Sequence, residues 1–327
     1  MKKKICLLIA LLICGFLLDI AFGSVPLSIQ DIIHTFLGKG DEITHEIIIN
    51  FRLPKAITAI LTGAALSVSG VLIQTLFRNP LAGPDVLGVT SGASLGVAVL
   101  TLGAGFLPAF ALSSWGLIIA AIIGATVIML LIILASLHVT HSTTLLIIGI
   151  MFGYFTSAIV SILQNVANPN ILKIFITWTF GSLSAVGWNS ITIMAMLIGI
   201  GLLFAFFIQK QLDTLLLGER YALGLGTNIK YTRFYIIIIT AILTGTSTAF
   251  TGPIAFIGIT IPHLTRLLFC TNNHKVVIPM SILCGATVML LCDVISQLPG
   301  TQSTLPINSV TALFGAPIII WIIIKKW

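Results

Sequence analysis

Apolar runs of about twenty residues recur along nearly the whole chain, and they limit its possible folds more than any other feature. They occupy residues 5–22, 56–76, 87–107, 115–137, 145–166, 190–208, 234–250, 254–269, 276–296 and 310–324. A helix of about 20 residues crosses the ~30 Å hydrocarbon core of a bilayer. Inside lipid the backbone has to satisfy its own hydrogen bonds, which leaves helices as the form for runs this apolar. The expected fold class is therefore an all-α polytopic membrane protein with about ten transmembrane helices. Hydrophobic residues make up 57% of the chain and charged residues only 8%. No stretch is polar enough for a soluble domain, so residues 1–327 are read as a single transmembrane domain. The longest polar stretches are 24–55 and 209–233.

Charge placement sets an orientation. With this span order, Lys2, Lys3, Lys4, Arg78, Lys210, Arg220, Lys230, Arg233, Arg266, Lys275, Lys325 and Lys326 fall on one side, and only Lys39, Arg52, Lys55 and Lys173 on the other. The positive-inside bias puts both termini and residues 209–233 in the cytoplasm. It also places 24–55 outside, 77–85 inside, 108–114 outside, 138–144 inside and a partly helical stretch 167–189 outside. The net charge of +7 sits at span ends, which argues against nucleic acid as a partner. Residues 5–22, with Lys2–Lys4 before them and a small-residue site at 21–23, also have the outline of a signal peptide. Their length favours a first membrane span.

Two patterns concern packing. TGAALSVSG (62–70) and TGTSTAFTG (244–252) lie five spans apart, a weak inverted repeat of the kind found in transporters. Gly88, Gly92 and Gly96, and separately Gly149 and Gly153, recur every four residues, a spacing that lets helices approach closely.

Chemistry is sparse. The acidic residues within spans are Asp19 and Asp293, too few for the buried ionisable relays that couple transport to protons or sodium. No phosphate-binding GxxxxGK[ST] loop occurs, so the chain has no nucleotide hydrolysis of its own. Both points suit a permease driven by a separate ATPase. GASLG (92–96) fits G-x-S-x-G, but Ser94 lies in a span, and a nucleophile needs a strand–turn–helix elbow. His263 would be its only histidine partner. His138 and His141 are read as solvated loop residues, and the five cysteines as small apolar fillers. No catalytic residue, metal ligand or cofactor is expected.

Residues 209–233 are the most charged segment between two apolar runs. Leu212, Leu215, Leu216, Tyr221, Leu223 and Leu225 keep helical spacing, and Gly224 and Gly226 sit where a short helix would end. Such an amphipathic helix either docks a soluble partner or rests on lipid headgroups.

Five stretches then accumulate in order. RLPKAITAILTGAALSVSGVLIQTLFRNPLAGPDVLGVTSGASLG (52–96), TWTFGSLSAVGW (177–188), LGERYALGLG (217–226), GPIAFIGITIPHLTRLL (252–268) and LPINSVTALFGAPIIIWIIIKK (305–326) together resemble FecCD-type permeases. These are the membrane subunits of ABC importers for ferric siderophores, haem and cobalamin. The resemblance implies a type II ABC importer permease fold in the inner membrane of a prokaryotic cell, surrounded by lipid. It implies a second permease subunit (homodimer or close heterodimer), two cytoplasmic ATPase subunits and an external substrate-binding protein. Leu217, Gly218, Glu219, Arg220, Ala222, Leu225 and Gly226 match the family's ATPase-coupling helices, with Glu219 near a helix start where a carboxylate suits the dipole. Arg52 and Lys55 match external basic positions that meet acidic knobs of the binding protein, so both are expected to be exposed. Asn79, Pro80 and Leu81, with Ser142 and Thr143, match the loops that narrow the cytoplasmic end of the path. The chain departs from the family pattern at Gln297, where cobalamin-type members carry a docking Arg, and at Thr144, Thr304 and Asn308. The alternatives are an ABC permease for free zinc or manganese ions and, from a different class, a membrane enzyme using Ser94.

Overall fold

The computed structural model describes residues 2–23, 25, 27–38, 41–103, 113–139, 141–297 and 304–326; Lys39 and the expected outer turn at 108–112 lie outside them. In order, the helices are α1 (Lys2–Ala21), α2 (Ile29–Phe36), α3 (Glu42–Glu46), α4 (Leu53–Phe77), α5 (Val89–Leu102), α6 (Ser114–His138), α7 (Ser142–Val166) and α8 (Pro169–Thr179). They continue as α9 (Trp188–Phe207), α10 (Gln209–Leu216), α11 (Glu219–Gly224), α12 (Ile229–Thr251), α13 (Ile257–Phe269), α14 (His274–Ser296) and α15 (Ile307–Lys326). Each of the ten apolar runs holds one helix. Among the described residues, seven helices are long and apolar enough to cross a membrane, while α5, α13 and the apolar part of α15 (Ile307–Trp321) are shorter.

The starts and stops follow local chemistry. Asn228 and Asn273 cap α12 and α14 with their side-chain oxygens, and Ser113 caps α6. Ser28 and Asp31 form a reciprocal capping box on α2. The expected second span begins earlier than 56, because helix continues unbroken from Glu42 to Phe77. Pro54 does not break it: residues Ile47–Arg52 adopt a wider π turn, and the Leu53 N–H bonds back to the Ile48 carbonyl. The wider turn accommodates a proline ring that would crowd a regular helix.

At the centre is α4, 83% of whose apolar window is buried. It packs chiefly on α14, with α12 and α13 beside it, while α12 packs on α6. The α4–α14 and α12–α6 pairs are related by the same five-span offset as the sequence repeat. Close approach requires glycine here. A Cβ on Gly63 would strike the Gly285 backbone, and one on Gly70 the carbonyl of Gly258. Gly92 and Gly96 likewise meet Gly124 and Ala120 on α6, so the spaced glycines do bring helices together.

The break between α12 and α13 runs through residues 252–256. A Cβ on Gly252 (φ +75°) would approach the Gly181 Cα to 3.0 Å. The backbone is satisfied: the Ser182 N–H donates to the Thr251 carbonyl at 2.8 Å, and the Ala255 N–H to Asn308 Oδ1 at 3.1 Å. Non-helical backbone is tolerated at membrane depth where protein covers it. Asn308, a departure from the family pattern, therefore closes this junction with its side chain. Segments read as outer meet around one recess, which includes Gly23, Ser182, Gln297 and Thr304. Segments read as inner meet around another, which includes Arg78, His141 and Glu219.

Candidate functional site

Residues 209–233 fold into α10 and α11, both seated on the inner end of the bundle. α10 rests on buried Leu212 and Leu215, and α11 on Ala222. The other apolar side chains face away: Leu217 is 61% exposed, Tyr221 73% and Leu225 62%. Leu217, Arg220, Tyr221 and Gly226 border an open recess of about 970 Å3, shared with Arg78 and His141. Gly218 joins the two helices at φ +109°, a conformation that L side chains rarely adopt.

Not every expected coupling residue is presented outward. Leu217, Arg220, Leu225 and Gly226 are exposed, whereas Gly218 and Ala222 are buried. Ala222 is small because α11 lies against the core there. Glu219 does begin α11, but its carboxylate turns back to the bundle. Its Oε1 accepts from Arg233 Nη2 at 3.2 Å and from the Ser142 hydroxyl. Arg233 Nη1 also donates to the Val139 carbonyl at 2.8 Å. A guanidinium this enclosed requires a carboxylate beside it. A second polar chain ties α10 to the core. Asp213 Oδ1 accepts from the His274 backbone N–H at 3.0 Å and lies 2.6 Å from its Nδ1. His274 Nε2 lies 2.9 Å from Thr75 Oγ1 on α4. Sequence reasoning gave no role to Asp213 or His274, and read Arg233 only as a cation at a span end.

The turn after α4 holds Asn79, Pro80 and Leu81. Asn79 Oδ1 accepts from the Leu81 N–H at 2.9 Å, and the Pro80 carbonyl lies 2.7 Å from His263 Nε2. Leu81 and Thr143 are exposed, and Ser142 is held by Glu219. Ser94 lies within α5, with no elbow to activate it, and His263 is engaged by the Pro80 turn.

The outer end corrects an expectation. Arg52 and Lys55 are buried, each only 5% exposed. Lys55 Nζ sits 3.2 Å from Asp19 Oδ1 and 2.9 Å from Asp293 Oδ2. Gln297 Nε2 donates to the same two carboxylates at 3.2 and 3.0 Å. Arg52 donates to the carbonyls of Ile20, at 2.6 Å, Ala21, at 2.7 Å, and Val25. Their charge is spent inside the protein, where a desolvated cation needs an anion or carbonyl dipoles. The two in-span acids are thus partners of a lysine, and not a proton relay. Beside them opens a recess of about 330 Å3.

Comparison with known proteins agrees with this architecture. The family model described as "FecCD transport family" matches residues 11–325. The vitamin B12 import system permease protein BtuC of Shigella boydii serotype 18 is 34% identical over 316 residues, covering 96% of this chain and 93% of the relative. YvrB of Bacillus subtilis (strain 168), an uncharacterized ABC transporter permease, is 34% identical over 322 residues, covering 95% and 90%. A solved transporter described as of the metal-chelate ABC type, in an inward-facing conformation, superposes with a TM-score of 0.88 at 29% identity, covering 100% of both chains. PsaBC from Streptococcus pneumoniae, in complex with Fab, superposes with a TM-score of 0.59 at 20% identity over 88% of this chain and 94% of the other, a likeness of fold alone. The chain belongs to the FecCD transport family, whose members here are multi-pass transport permeases and not enzymes.

Proposed function

We propose that this chain is the membrane-spanning permease subunit of an ATP-driven importer for a metal chelate or corrinoid: a ferric siderophore, haem or cobalamin. It works with a second permease subunit, two cytoplasmic ATPase subunits and an external substrate-binding protein, with both termini in the cytoplasm and ten passes through a prokaryotic inner membrane. The observation that carries this reading is the set of exposed apolar side chains Leu217, Tyr221 and Leu225, on and on either side of α11. They sit at the end of the bundle where Glu219 of α11 accepts from Ser142, one of the expected gate residues. Exposed apolar side chains on a short helix and its flanks suit a groove on a soluble partner. The 79–81 turn and Ser142–Thr143 would narrow the path at the same end. Arg52 and Lys55 hold the outer ends of α1, α4 and α14 together and border the outer recess, so their part in binding-protein docking is to shape that face from beneath.

A chelate fits better than a bare ion. The relative at 34% identity is named for vitamin B12, and the structure at 29% identity for a metal chelate. The test is uptake into proteoliposomes holding the permease, its ATPase and its binding protein. Cyanocobalamin, a ferric hydroxamate and haem are offered against free zinc and manganese ions. ATP-dependent accumulation of a chelate or corrinoid, but not of the free ions, is the expected result; accumulation of free zinc or manganese alone would overturn it.

A further inference from the structure

We infer that Glu219, Arg233 and Ser142 form the link that carries movement of α11 to the inner turn between α6 and α7. This inference rests on the permease reading above. One carboxylate oxygen of Glu219 takes hydrogen bonds from two different elements, the Arg233 guanidinium near the start of α12 and the Ser142 hydroxyl at the start of α7. Arg233 reaches on to the Val139 carbonyl, just past the end of α6. Three residues therefore join α11, α12 and both sides of the 139–142 turn.

The rest of α11 is built to move. It lies between Gly218 at φ +109° and Gly226 at φ +80°, two positions where the backbone turns without a side chain in the way. Within the helix, Ala222 is the buried side chain. A six-residue unit hinged at two glycines follows whatever presses on its exposed face, and its polar link decides which part of the bundle follows it. Arg233 is 5% exposed and Glu219 28%. The bond is shielded enough to be directional, yet lies at the surface where a partner pushes. Ser142 is the neighbour of exposed Thr143, so displacement of Glu219 bears directly on the expected gate. These are positioning residues: none of them needs to touch cargo or nucleotide.

The test reads the gate directly and needs no knowledge of the cargo. Thr143→Cys is introduced as a reporter, in a background lacking the native cysteines, and the permease is purified with its ATPase. Its rate of reaction with a water-soluble maleimide is compared without nucleotide and after trapping with ATP and vanadate. The link predicts a change of about tenfold in the parent, and less than about twofold in Glu219→Gln and in Arg233→Gln. The double variant is expected to lose no more than either single, because the two residues act as one unit. Arg233→Lys, which keeps the charge and one donor, is expected to recover part of the response. A merely structural role would lower the yield of complex but leave the response intact in what assembles. Glu219→Gln is the milder change and keeps the test open should Arg233→Gln fail to assemble. A full response in the variants overturns the link alone. A parent with no response to nucleotide overturns the permease reading together with the link.

Discussion

Replacing Lys55 by methionine tests the buried cluster at the outer end. The Lys55 ammonium sits 2.9 Å from one carboxylate and 3.2 Å from another. At an effective dielectric of about 20, those separations correspond to attractions of about 6 and 5 kcal/mol. Most of that attraction is offset by the cost of taking the three charges out of water. The variant is not symmetric with respect to this balance. It removes the cation but leaves Asp19, whose side chain is fully buried, and Asp293, which is 6% exposed. Breaking a buried pair in this way costs about 3–5 kcal/mol, a fall in melting temperature of roughly 5–15 °C. The assay is thermal unfolding of the purified permease in detergent, in a background where the exposed Cys6, Cys14 and Cys270 are replaced by serine, followed by a thiol-reactive dye that then reports the buried Cys284 and Cys292. The triple variant Lys55→Met, Asp19→Asn, Asp293→Asn removes charge from all three sites and is expected to recover most of the loss. If Lys55→Met melts like the parent, or the triple variant melts no higher than Lys55→Met, then Lys55 is not held between the two acids and the corrected outer architecture fails.

Four further outcomes follow from particular contacts. Gly63→Val drives a side chain into the Gly285 backbone and should prevent accumulation of folded permease, whereas Gly199→Ala on α9, with nothing within 4 Å of its added carbon, should be neutral or stabilising by up to about 1 kcal/mol; yield and melting temperature separate the two. Leu225→Asp or Tyr221→Asp should abolish co-purification of the ATPase while leaving the melting temperature of the permease unchanged. Glu219→Arg sets like charge against Arg233 and should abolish transport-coupled ATP hydrolysis; wild-type coupling in that variant would remove Glu219 from the coupling machinery. Hydrogen bonds from Ser28 hold the Asp31 carboxyl below its usual range, so its stabilising effect on α2 is present above the unfolded value of about 4 and is lost as pH falls through the lower folded value. Hydrogen exchange over residues 32–36 should therefore quicken in that acid window in the parent, and at neutral pH already in Asp31→Asn.

Much of the fold was legible because the bilayer makes it so. A chain with ten apolar runs has few options, and each run does hold a helix, although the prediction of full spans overstates the lengths of α5 and α13. Their starts are set by Gly88 at φ +73° and by the non-helical 252–256 segment, in which Phe256 takes φ +68°, features that hydropathy averages away. The glycine repeats were readable for the same reason: small residues at a period of four mean contact whichever partner supplies it. The charged sites were less accessible. Counting cations by side treats Lys55 as a solvated residue at a span end. Its partners, Asp19 and Asp293, stand far from it along the chain, and nothing local in the sequence joins them. Glu219 shows the same limit on a smaller scale, since its position at the start of α11 was predictable and its turn towards Arg233 and Ser142 was not. Sequence could place residues at the correct end of the bundle, but not say which of them faced inward.

The central claim is a division of labour between a passive membrane conduit and a motor that grips it through α10 and α11. The most direct measurement compares solute accumulation in proteoliposomes containing the permease with its binding protein, with and without the ATPase. ATP and an imposed proton or sodium gradient are supplied in turn. Accumulation only when the ATPase and ATP are both present is the predicted result. Uphill movement by the permease and binding protein on an ion gradient, with no ATPase in the vesicle, would contradict it.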